Sequence, residues 1–173
     1  GEAQSRELSA DVAGKAGELG YYLHGGNIDS NGLRLDRYAE RDSVYGKMQL
    51  PLPHSSSLTL TGGYSDPYYK TLNWSDAWGI ADLNIYEDIH HQNTWATVYF
   101  DTELTKNLSL HLSGQHFDTD ITINKRSLGG YGGPQGDLVF GEEEEEETNS
   151  FASRLTWSQE AFTANLGFES SRS

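Results

Sequence analysis

The side chains best suited to chemistry in this chain are carboxylates, histidines and aromatics, gathered in a few places. The most conspicuous is the run Glu142 to Glu147. Carboxylates are hard oxygen ligands of the kind Ca²⁺ takes. Consecutive residues of an extended chain point to opposite sides, however, and a block of like charges repels itself. The run therefore reads as a solvated junction of loop and strand. A second acidic group, Asp66, Asp76, Asp82, Glu87 and Asp88, falls in one long loop without the spacing of an EF-hand. These five are the calcium candidates. His90 and His91 stand beside Asp88, but adjacent histidines diverge on a strand and no third ligand has zinc spacing. They read as solvated loop residues. The stretch "YSDPYYKTLNWSDAW" is richer in aromatics than an idle loop requires. Tyr64, Tyr68, Tyr69, Trp74 and Trp78 are accordingly the candidate ligand-binding residues, able to stack on a bound ligand, or else to fold the loop upon itself or sit at the level of lipid headgroups.

Catalysis finds little support. His111 and Ser113 share one strand and its polar face, and nothing marks either as activated. The tract "LGGYGGPQGD" matches neither phosphate-binding glycine motif. No enzyme is expected. The chain has no cysteine, which excludes disulfides and thiolate metal sites. Its formal net charge of −14 argues against nucleic acid, where a basic footprint is required. Calcium in the outer loops is the one cofactor considered.

The elements that carry these residues are strands. "NLSLHLSGQHFD" alternates leucine with polar residues, the period-two pattern of a strand with one apolar face. Seven further stretches behave alike: "RELSADVAG", "LGYYLHGGN", "SVYGKMQLPL", "SLTLTGGYS", "TWATVYFDTEL", "FASRLTWS" and "AFTANLGFE". No stretch has a convincing helical period. The fold class is all-β, an antiparallel up-and-down meander of about eight strands. Connections alternate in length, short near 14–18, 52–57, 105–107 and 158–161, and long near 28–40, 66–92 and 118–148. A membrane barrel sorts its loops in this way, with short turns at one end and long loops at the other.

No apolar run approaches the ~20 residues of a membrane helix, but a membrane strand needs only ~9–11 and alternates. Hydrophobic types make up only 35% of the chain, less than a soluble all-β core usually offers. Opposite the apolar positions stand Ser9, Asp11, Thr59, Thr61, Thr97, Asp101, Ser109, His111, Arg154, Thr156, Thr163 and Asn165. A dry sandwich core would not accept these without partners, at roughly 1–3 kcal/mol per unsatisfied group. Tyr21, Tyr22, Tyr64, Trp95 and Trp157, near strand ends, suit interfacial girdles. The expectation is part of a transmembrane β-barrel covering residues 1–173, with lipid against the apolar face. Beginning at Gly1 and ending in "GFESSRS" just after an alternating stretch, the chain reads as a piece of something longer.

The segments Gly20 to Gly26, Asp29 to Arg34, Glu40 to Asp42, Gly46 to Met48 and Leu58 to Gly62 together resemble the early barrel of TonB-dependent outer-membrane receptors. The resemblance covers about residues 8–65. It implies a barrel closed by a plug domain in the bacterial outer membrane. It also implies import of a scarce small-molecule ligand, such as a siderophore or cobalamin, with energy from the inner-membrane TonB complex. This chain has neither a plug nor a TonB box, so the expectation is a partial barrel. The alternatives are a plug-less outer-membrane channel or adhesin barrel, and a soluble β-rich carbohydrate-binding module.

Overall fold

The structure, a computed structural model, describes residues 4–31, 37–73, 85–127 and 135–173. They form one sheet of eight strands in sequence order. The strands are β1 (Ser5–Ala16), β2 (Leu19–Ser30), β3 (Arg37–Leu52), β4 (Ser56–Asn73), β5 (Ile85–Thr105), β6 (Leu108–Ser127), β7 (Leu138–Gln159) and β8 (Phe162–Arg172). Every neighbouring pair is antiparallel, so the meander expected from the alternation is the fold. The sheet is open: β1 and β8 are its edges and make no contact with each other.

At one end the connections are tight, spanning 17–18, 53–55, 106–107 and 160–161. Gly17 enters the first turn at φ 65°, a left-handed conformation glycine adopts without a Cβ penalty. His54 and Ser55 take the same region at 62° and 54° to close the turn after Pro53. At the other end the connections span 31–36, 74–84 and 128–137. These are shorter than the loops expected over 28–40, 66–92 and 118–148, because the strands run on. β5, β6 and β7 are 21, 20 and 22 residues long, about twice what a bilayer crossing takes. The Glu142–Glu147 run, expected at a loop junction, lies well inside β7 and pairs residue by residue with Asp118–Ile123 of β6. His90 and His91, expected in a loop, belong to β5.

A core is missing. Among the described residues no aliphatic or aromatic side chain is buried, and the buried residues are Pro67, Thr119 and Ser127. Cohesion comes from the backbone ladders and from side chains meeting across strands. Trp95 lies over Gly63, where an added Cβ would stand 2.3 Å from the indole, and the Tyr21 hydroxyl stands 2.5 Å from the place a Cβ would take at Gly14. Each aromatic fills the gap its cross-strand glycine leaves in the pleated surface.

Candidate functional site

The ladders decide which residues share a face, since registered partners point the same way. One face collects Leu8 and Val12 of β1, Leu23 of β2, Val44, Met48 and Leu50 of β3, and Leu58 and Leu60 of β4. It continues through Val98 and Phe100 of β5, Leu108, Leu110 and Leu112 of β6, Phe151, Leu155 and Trp157 of β7, and Leu166 and Phe168 of β8. None of these side chains is buried: on the edge strands Leu166 is 73% exposed, Leu8 63% and Phe168 62%, while Leu108, Leu110 and Leu112 in the middle of the sheet are half-buried. On β5 the apolar span from Ala96 to Leu104 is nine residues long.

This belt does not follow the ladders; it crosses them obliquely. Val12 is linked in register through Leu23, Gly46, Gly62, Ala96, His116 and Asn149 to Arg172. Val12 lies within the belt of β1, yet Arg172 ends β8, whose belt is centred near Asn165. The belt thus slips by about 1.2 residues per strand. At ~3.4 Å rise per residue and ~4.8 Å between strands, that slip tilts the strands by about 40° to the belt normal. Nine residues so tilted span about 23 Å.

Aromatics mark the margins of this face. Tyr64 stands at its upper edge and donates its hydroxyl to Asp66 Oδ2 at 3.0 Å. Tyr21, Trp157 and Phe162 stand near the tight-turn end, the last two with ring centroids 5.7 Å apart. Two of the aromatics expected in the girdles, Tyr22 and Trp95, point to the opposite face.

That opposite face is polar and networked. Asp11 accepts a hydrogen bond from Tyr22 at 2.6 Å and lies 2.7 Å from Nδ1 of His24. His111 meets Asp101, and Thr156 donates to Asn165 at 2.7 Å. The twelve polar residues the alternation assigns opposite the apolar positions all fall here. A band of rings crosses the same face, with Tyr22 5.8 Å from Tyr45 and Tyr45 6.4 Å from Trp95.

Beyond the belt the polarity of the two faces reverses. The apolar face continues upward as Asp42, Asp66, Tyr68, His90, Gln92, Asp118, Asp120, Glu143, Glu145 and Glu147. The other face carries a registered row Ala39–Tyr69–Ile89–Ile123–Glu142, with His91, Ile121 and Glu144 in the row below. Below those lies a polar row in which Thr119 donates to Asn93 at 3.0 Å and Asn93 to Ser65 at 3.4 Å.

This upper region holds the described part of the candidate ligand site. Tyr64 and Tyr68 point to one side of β4 and Tyr69 to the other, so the three do not form one stacking surface. Tyr68 donates to Asp88 Oδ1 at 2.8 Å and meets Tyr38 and His90 edge-on at 5.9 and 6.2 Å. Partial burial and then Asp88 push its phenol up to about 12. The Tyr38 phenol is also pushed up to about 12, chiefly by its hydrogen bond to Glu40. Both remain protonated donors at any physiological pH. Trp74 and Trp78, with Asp76 and Asp82, lie outside the described residues.

The remaining calcium candidates engage basic side chains rather than one another. Asp66 meets Nε2 of His90. Glu87 is 3.3 Å from Lys125 Nζ, and Asp88 is 3.6 Å from Arg126 Nε. Glu87 also points away from the face that Asp66 and Asp88 share. The three carboxylates the fold does bring together are Asp118, Asp120 and Glu145, with one oxygen of each within 4.8 Å of the others. They could hold a hard cation in the manner of calcium sites. Only the strand pairing of β6 with β7 reveals them, because Glu145 is distant in sequence from the two aspartates. No model of a known protein family matches the chain, and no curated protein matches it, so its own residues carry the functional reading.

Proposed function

We propose that this chain is part of the wall of a transmembrane β-barrel in a bacterial outer membrane, with lipid against the belt and the polar face towards the lumen. The observation that carries this reading is the oblique apolar belt, none of whose side chains is buried, on a sheet with no core. Its height of about 23 Å and strand tilt of about 40° agree with the ~25 Å apolar band and the 35–45° tilt of such barrels. Opposite ends with tight turns and longer connections fit insertion from one side. The reversal of polarity above Tyr64 fits the point where the wall leaves the bilayer, since both faces of the sheet there meet water.

The finer reading is a receptor barrel that binds a scarce ligand outside and admits it with TonB-coupled energy. The resemblance of Gly20 to Gly62 to such receptors supports it. So do the polar networks on the luminal side and the tall outer wall that would flank an incoming ligand. Single cysteines at Leu108, Ser109, Leu110 and His111, placed in the full-length parent in cells, test the membrane part. A lipid-phase thiol reagent should label 108 and 110, and a water-soluble one 109 and 111. Protection of 108 and 110 from both would mean a protein layer covers the belt and would favour a soluble binding module.

A further inference from the structure

We propose that the apolar row Tyr69–Ile89–Ile123, with Ile121 beneath it, is the docking surface for a cationic, amphipathic polypeptide segment. Register sets these side chains together on one face of β4, β5 and β6. They lie five residues (Tyr69 above Tyr64) to eleven residues (Ile123 above Leu112) beyond the belt, roughly 13–29 Å at the strand tilt deduced above. Neither lipid nor a protein core meets them there. Tyr69 is 44% exposed, with His91 edge-on to its ring at 6.4 Å. Ile89, Ile121 and Ile123 are half-buried among their strand neighbours, with part of each open on this face, and the positions behind them on the other side are the polar His90 and Thr122.

Charge selects the occupant. β7 borders the row with Glu142, Glu144 and Glu146, which alternate onto this face beside Ile123, Ile121 and Thr119. None of these three makes an ion pair within the described residues. The nearest cation, Lys125, is held by Glu87. An anionic ligand or an anionic lipid headgroup would meet repulsion along the whole edge. A segment with an apolar face and a basic flank would bury the isoleucines and neutralise the carboxylates together. Three strand spacings, about 14 Å, separate the Glu142 edge from Tyr69, enough for two turns of helix or four extended residues.

The test uses the full chain in zwitterionic detergent, with micelles alone as the blank. Binding of a fluorescent lysine-leucine amphipathic peptide is followed by anisotropy. A glutamate-leucine analogue and a hydrophilic lysine-serine peptide of equal charge serve as comparisons. Saturable binding of the first alone is expected. The variant Glu142→Gln/Glu144→Gln/Glu146→Gln should weaken it about tenfold and flatten its salt dependence. Ile121→Thr/Ile123→Thr, which keeps the β-branch, should weaken it to a similar degree with the strand signal in circular dichroism unchanged. Equal binding of the hydrophilic or the acidic peptide, no binding above micelles, or indifference to both variants would each overturn the proposal. None of these outcomes depends on whether the belt meets lipid.

Discussion

Gly63 has no side chain, and Trp95 occupies the place one would take. The indole atoms stand 2.3–2.8 Å from that position, so a Cβ there must displace the ring. Gly63→Val is expected to destabilise the sheet by about 1–3 kcal/mol, the usual cost of overpacking, seen as a lower urea midpoint with red-shifted tryptophan emission. Adding Trp95→Ala to that variant should recover much of the loss, because the two changes share one space. An unchanged midpoint in the single variant would mean the indole moves aside freely. The pairing was not legible in the sequence. Gly63 and Trp95 are far apart in the chain, and only the β4–β5 register brings them opposite. The same holds for Asp118 and Asp120 beside Glu145. Aromatic density in the sequence singles out Tyr64, Tyr68 and Tyr69, but parity along β4 divides them between two faces.

Strands were legible where one face is apolar and the other polar. Leu8–Val12, Leu108–Leu112 and Phe162–Phe168 all stand on the face their alternation assigns. The signal failed above the belt for a physical reason. Where both faces meet water, glutamate suits either, and a run such as Glu142–Glu147 shows no period although it is paired throughout. On β6, Ile121 and Ile123 do alternate with polar residues, but they sit on the face opposite to the leucines lower down, so the pattern breaks phase at the transition. Within the belt the two faces should respond differently to charge. Leu166→Arg is expected to cost about 2–4 kcal/mol near the middle of the bilayer. Asn165→Arg, one residue away on the polar face that the proposed barrel turns to its lumen, should be close to neutral. Urea unfolding of the chain refolded into vesicles measures both, and equal losses would contradict the assignment of faces.

At the scale of the whole molecule, the meander and the alternation of connection lengths follow from the sequence, whereas closure does not. Edges β1 and β8 each present an unpaired row of backbone groups, and unpaired edges invite pairing with other chains. Together with the exposed belt, this predicts that the 173-residue chain alone sediments as aggregates in aqueous buffer and disperses in detergent. Analytical ultracentrifugation distinguishes the outcomes, and a monodisperse monomer without detergent would require something to cover both belt and edges.

The oblique slip of the belt has one more consequence. Rows of registered residues run at right angles to the strands, so they climb like the rail of a spiral stair instead of circling at one level. Tyr69 stands five residues above Tyr64 at the top of the belt on β4, and Ile123 stands eleven above Leu112 on β6. An elongated guest laid along that rail would come to rest on a slant, with its Tyr69 end nearer the apolar belt and its Ile123 end raised away from it.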